Sequence, residues 1–312
     1  MGLVDNHHPT IDSAGVRLPD FLILLFLAAV WGASFLFMRI SAPDFGPVPL
    51  IAFRMGVAGL ALSPVFFQRE ARQVARAHWW QLLVSGVFGS ALSFVLLSYA
   101  TLTLSAGFTS LMNSSVPVFS AILGAAWLGE RLRSSQLVGL ALGILGVVIL
   151  VWGKLEFQED GLGWALIACI AACFFYGFGA VWIKSRLSAV PPLVASSGSL
   201  LGAGAVLFPV ALARLPAQTP SALSWMSAVA LALFCTALAF VVFFRLIRRS
   251  SATATVSVTF LIPFFAIFWG WLFLDETVST QMIAGMAVTL LGTGLTTGVI
   301  GPRAGVKTRD SD

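Results

Sequence analysis

TSLMNSSVPVFSAILGAAWLGERLRSSQLVGLALGILG, residues 109 to 146, and TVSVTFLIPFFAIFWGWLFLDETVSTQMIAGMAVTLLG, residues 255 to 292, are one stretch written twice. In a gapless register offset by 146, Thr109 falls on Thr255, Pro117 on Pro263, Gly124 on Gly270, Glu130 on Glu276, Gly139 on Gly285 and Gly146 on Gly292. Self-similarity at a fixed period marks a duplicated architecture. Near the start of each half, at an offset of 145, Trp31-Gly32 meets Tyr176-Gly177 and Arg39 meets Lys184, so the duplication reaches back over both halves.

The solvent of this duplicated chain is lipid. Of 312 residues, 58% are hydrophobic and only 10% charged, and apolar runs are spread from Phe21 to Ile300 with no polar block large enough to fold alone. A bilayer core of about 30 Å takes roughly 20 helical residues. Ten runs meet that length, near 21–40, 47–67, 79–98, 103–127 and 135–152, then 162–183, 192–213, 223–246, 251–273 and 281–300. They are continuously apolar, which excludes barrel strands with their alternating faces. The first run is long enough to span and lacks a small-residue cleavage pattern, so it reads as a helix and not a signal peptide.

Lys and Arg set the orientation, because they stay on the cytoplasmic side during insertion. An inside N-terminus leaves fourteen of the eighteen there, from Arg17 through Arg131, Arg133 and Lys184 to Arg309, with only Lys154 and Arg214 outside and Arg39 and Arg54 in or at helices. Both termini therefore read as cytoplasmic. The same one-sided charge explains the pI of about 9.6 without a nucleic-acid partner.

With five helices per half, the halves insert in opposite orientations, and inverted repeats are a transporter signature. The division is a polar tail at 1–18, a first repeat at 19–153, a second at 154–300 and a polar tail at 301–312, the tails expected to be disordered. The expectation is an all-α integral membrane bundle of ten transmembrane helices in two inverted five-helix repeats.

At Ser115-Val-Pro117, Gly129-Glu130-Arg131-Leu132, Gly139 and Gly146, at their second copies Ile262-Pro263, Asp275-Glu276, Gly285 and Gly292, and at Trp31-Gly32-Ala33-Ser34-Phe35, the chain resembles the drug/metabolite transporter superfamily, specifically its EamA-type members. The resemblance implies ten helices in two repeats and export or exchange of a small molecule in a bacterial cytoplasmic (inner) membrane. It leaves the substrate open among amino acids, sugars, nucleosides, other metabolites and drugs.

The residues themselves point to a central cavity. On helix four, Thr109, Asn113, Pro117, Ser120 and Gly124 share one face, and Thr255, Thr259, Pro263, Ala266 and Gly270 repeat it on helix nine. A polar, small face avoids lipid, either to line a cavity or to pack helices tightly. Trp31, Ser34 and Phe35 on helix one and Tyr176 on helix six make an aromatic wall, with Tyr99 as a gate or an interfacial anchor. Arg54 lies about 10 Å inside helix two, where a charge needs a partner: a substrate anion, or an outward or capping contact. Its mate at offset 145 is Ser199. Glu130 and Glu276, at the ends of helices four and nine, suit a latch or a cap on the N–H groups of the next helix.

No Asp, Glu or His falls at the middle of a span, which favours facilitated diffusion or exchange over proton antiport. A membrane hydrolase would need a base beside its nucleophile, and none is at that depth. A structural or sensor protein would not need a polar centre. Cys169, Cys173 and Cys235 have no paired-ligand spacing and an odd count, so neither a disulfide framework nor a zinc site is supported, and no cofactor is expected. The expected partners are a small-molecule substrate and the lipid bilayer; the sequence does not set an oligomeric state.

Overall fold

Every regular element is helical among the residues described by the computed structural model, which are 18–153, 162–247 and 258–299. In lipid a helix satisfies its own backbone N–H and C=O groups, and continuous apolar runs demand this solution. The helices are α1 (Leu18–Phe45), α2 (Pro47–Leu62), α3 (Trp79–Ala100), α4 (Ala106–Leu128), α5 (Ser134–Val151), α6 (Leu162–Arg186), α7 (Pro192–Leu212), α8 (Ala222–Leu246), α9 (Val258–Leu274) and α10 (Thr280–Thr297). Of these, α1 to α8 are long and apolar enough to cross a bilayer, while α9 is an apolar helix of 17 residues. The chain is thus a multi-pass membrane bundle.

Local chemistry sets most boundaries. Pro47 and Pro192 sit at the start of α2 and α7, where their missing N–H costs nothing. Ser221 and Ser279 cap α8 and α10 by accepting from the N–H groups of Ser224 and Met282. α1 runs five residues past its expected end, through Pro43 to Phe45. A short helix, Arg69–Ala77, follows α2 and carries Arg69, Arg72 and Arg76 at the surface. The expected tails lie outside the described residues, apart from Leu18, as does residue 154–161.

The principal packing pairs are α1 with α9, α4 with α6, α1 with α8, α3 with α6, α2 with α7, and α5 with α10. Exchanging each helix for the one five places along returns the same set of pairs. The close approaches repeat with it. A Cβ on Gly32 of α1 would lie 2.7 Å from Phe265 Cβ and 2.9 Å from Ala266 N of α9, and one on Gly177 of α6 would lie 3.0 Å from Phe119 Cβ and 2.9 Å from Ser120 N of α4. Between α5 and α10, a Cβ on Gly139 would lie 2.5 Å from Thr296 N, so only a bare backbone permits this crossing. Gln136 Nε2 donates from α5 to Thr296 O at 3.0 Å, and Gln281 Nε2 donates from α10 to Ile149 O at 2.7 Å, bracing the pair at both ends.

α3 and α8 each contain a wide turn, at Ser85–Leu92 and Leu233–Leu238. Hydroxyls reach five residues back there, Ser93 Oγ to Phe88 O at 3.1 Å and Thr236 Oγ1 to Leu231 O at 2.9 Å, the reach a π-type turn requires. In α8 this turn aims Cys235 and Thr236 at the bundle centre.

Candidate functional site

α4 is not the continuous helix its apolar run suggests. It breaks at Ser114–Ser115 into Ala106–Asn113 and Val116–Leu128. Pro117 has no N–H, and its ring would collide with the carbonyl of residue 113 in an unbroken helix. The two serines add side-chain bonds at the break: Ser114 Oγ donates to Leu111 O at 2.5 Å and Ser115 Oγ to Met112 O at 2.7 Å, carbonyls that also accept from the backbone N–H groups of Ser114 and Ser115. In α9 the counterparts of these serines are Phe260 and Leu261, which offer no hydroxyl, and Pro263 sits inside an unbroken described segment.

Most of the expected face survives the break. Ser110, Asn113, Pro117, Ser120 and Gly124 line a central cavity of about 620 Å³. Thr109 does not; it is fully buried, and its hydroxyl donates to Ser105 O at 2.9 Å. Trp31, Ser34, Phe35, Arg54, Tyr176, Thr259 and Pro263 join the lining, whereas Tyr99 lies outside it with an exposed ring. Thr255 falls outside the described residues.

Several lining residues were not singled out from sequence. Phe240, Phe243 and Phe244 form an aromatic flank from α8 and stand at helical i, i+3, i+4 spacing, a pattern legible in principle. Trp31 meets Phe243 edge-on at 5.1 Å, and Phe94 meets Tyr176 edge-on at 5.8 Å. Ser34 Oγ is turned back to Trp31 O at 2.6 Å. Asn113 Oδ1 and Ser110 Oγ are buried without a hydrogen-bond partner among the described residues.

The two ends of the cavity differ. Glu130, Lys184, Gln136 and Thr297 line one end, and Glu130 and Lys184 form an ion pair there with both side chains well exposed. The opposite end is blind. There the Arg54 guanidinium lies 4.0 Å over the Phe94 ring and its Nε–H donates to Thr236 Oγ1 at 2.9 Å. Beyond it, Glu276 accepts from the backbone N–H groups of Ala106 and Gly107. Asp44 Oδ2 accepts from Ser224 Oγ at 2.6 Å and from Ser221 N at 3.0 Å, tying α1 to the start of α8. Glu276 therefore caps α4 and not the next helix, α10; Ser279 already serves α10. Among the described residues Glu130 bonds to Lys184 and to no helix start.

Among the described residues no group of three or more His, Cys, Asp or Glu side chains is placed to hold a metal. The sequence pattern of the EamA-like transporter family matches residues 20–152 and matches again at residues 163–298. The chain belongs to the EamA-like transporter family. Its substrate is accordingly a small molecule.

This EamA-like chain is 27% identical over 304 residues to a "Probable amino-acid metabolite efflux pump" of Escherichia coli (strain K12), covering 91% of this chain and 96% of that protein. It is 24% identical over 274 residues to a "Probable terminal-alkyne amino-acid exporter" of Streptantibioticus cattleyicolor, covering 86% and 90%. An "Uncharacterized transporter" of Archaeoglobus fulgidus is 23% identical over 278 residues, covering 88% and 97%. A solved crystal structure 21% identical in sequence superposes with a TM-score of 0.63 over 91% of this chain and 98% of the other, a likeness of fold.

Proposed function

We propose that this chain is a ten-helix secondary carrier of two inverted five-helix repeats, exporting or exchanging a small amino-acid-like or amphipathic molecule by alternating access through the central cavity. The observation that carries the reading is the cavity of about 620 Å³, lined by Glu130 and Lys184 at one end and blind at Arg54. A volume in the range of about 300–1,000 Å³ with few polar groups on apolar walls suits a small ligand. The packing pairs that survive exchange of the halves support two units able to rock about a midplane site. The names of the relatives from Escherichia coli and Streptantibioticus cattleyicolor support an amino-acid-like cargo.

In this reading the excess of Lys and Arg puts both termini and the Glu130–Lys184 mouth on the cytoplasmic side of the inner membrane. The conformation is then inward-open, with the Glu276 cap and the Asp44 bonds closing the outer side. Trp31, Ser34, Phe35, Arg54, Asn113, Pro117, Tyr176, Thr259 and Pro263 form the substrate cavity. Glu130 and Glu276 are latches at its two ends. Exchange or facilitated diffusion fits a cavity whose one lining carboxylate, Glu130, sits at the mouth.

Alternating access is tested with one cysteine. In a background where Cys169, Cys173 and Cys235 are replaced, Ser120→Cys is treated with a membrane-impermeant maleimide from either face of vesicles. Labelling from both faces, with rates that shift in opposite directions when a transported solute is added, is the expected outcome. Labelling from one face under every condition contradicts alternating access.

A further inference from the structure

Arg54 is 3% exposed, yet no carboxylate lies within ion-pair range of it; among the described residues the single ion pair is Glu130–Lys184. A buried cation without a counter-charge is costly, more so in a membrane. What holds it is modest: one hydrogen bond to Thr236, the Phe94 ring face, and Met38 Sδ at 3.9 Å. A guanidinium carries five N–H donors in a planar fork, and one of them is spent on an oxygen here. The side chain also lines the blind end of the cavity, so an anion entering from the mouth meets it at the end of its path.

The surroundings narrow the anion. The fork matches a carboxylate with two parallel hydrogen bonds. A phosphate monoester would bring a second charge, and among the described residues the other cation lining the cavity, Lys184, is at the opposite end and paired with Glu130. Phe94, Tyr176, Met38 and Leu97 border the same end and offer apolar contact to the body of the ligand. The counterpart position in the second half is Ser199, so the charge is single and lies off the axis relating the halves.

We propose that Arg54 is the carboxylate subsite of this carrier, and that the cargo is an organic monocarboxylate with an apolar body, apolar amino acids included. This rests on the carrier reading above. Thr236 and Phe94 are the positioning residues that hold the fork toward the cavity.

The test uses the purified full-length chain and four probes that share a phenyl body: L-phenylalanine, 3-phenylpropionate, phenethylamine and phenyl phosphate. Calorimetric binding to the wild type should favour the two carboxylates over the amine and the phosphate by at least about tenfold, as expected for a bidentate charged pair. Arg54→Gln should bring that ratio close to one, and Arg54→Lys should keep part of it. Amine or phosphate binding as tight as the carboxylates overturns the assignment, and this series needs no variant to fold. A folded Arg54→Gln protein that keeps the discrimination overturns it too. Uptake of phenethylamine or uridine by proteoliposomes without any carboxylate binding overturns the subsite and leaves the carrier standing. Failure to bind or move any of the four probes or uridine overturns both.

Discussion

Glu276 Oε1 accepts a hydrogen bond from the backbone N–H of Ala106 at 2.8 Å, joining residues 170 apart in sequence, and its Oε2 accepts from Gly107 at 3.3 Å. A carboxylate at a helix start meets both free N–H groups and the positive end of the helix dipole. Hydrogen bonds to charged groups contribute about 1.5–3 kcal/mol each. Glu276→Ala should therefore loosen this end of the bundle by about 2 kcal/mol, roughly thirtyfold in a local opening equilibrium. Amide hydrogen exchange at Ala106 and Gly107 reads the change, and Glu276→Gln should fall between. Unchanged exchange in the alanine variant would remove Glu276 as a latch.

Gly129 and Asp275, at the same place in the two repeats, both adopt positive φ, 67° and 51°. The turn brings Glu130 N back to Gly124 O at 3.4 Å and Glu276 N back to Gly270 O at 3.2 Å, an ending that favours glycine. Asp275 meets the backbone demand at a steric cost that Gly129 avoids. Asp275→Gly should raise thermal stability in detergent, and Gly129→Ala should lower it by about 1 kcal/mol through backbone strain alone, since a Cβ on Gly129 meets no atom within 4 Å. A Gly129→Ala protein as stable as wild type would show that the turn is not strained.

Asn113 lines the cavity, and its Oδ1 is buried without a partner. Removing an unpaired buried acceptor relieves a desolvation penalty of about 1–3 kcal/mol. Asn113→Ala should then leave the melting temperature unchanged or higher while lowering solute exchange by about tenfold or more. A variant that melts early with exchange intact would make Asn113 a packing residue.

The duplication at offset 146 made the helical bundle and its paired halves readable, because ten identities fall in one register and small residues mark where backbones meet. Gly32, Gly139 and Gly177 sit at those crossings. The break in α4 was harder to read. Pro117 and Pro263 look alike in sequence, and what differs just before them is a pair of hydroxyls, Ser114 and Ser115, which bond within the broken turn, against Phe260 and Leu261. Thr109 dropped out of the cavity although it shares a helical segment with Asn113: its hydroxyl turns back to Ser105 O, and Ser110 lines the cavity beside Asn113 instead. Glu276 was matched to the nearest helix start along the chain, whereas packing of α9 on the first part of α4 brings Ala106 to it. Contacts of that kind depend on the assembled bundle and not on local pattern.

Counterflow in proteoliposomes tests the central claim most directly. Vesicles containing the wild-type chain are loaded with a mixed pool of amino acids, nucleosides and amphipathic drugs, and uptake of each labelled solute is compared with empty vesicles and with Asn113→Ala. Saturable exchange of at least one solute, lost in the folded variant, is the predicted result. Uptake no greater than in empty vesicles for every solute in the pool would contradict a carrier working through this cavity.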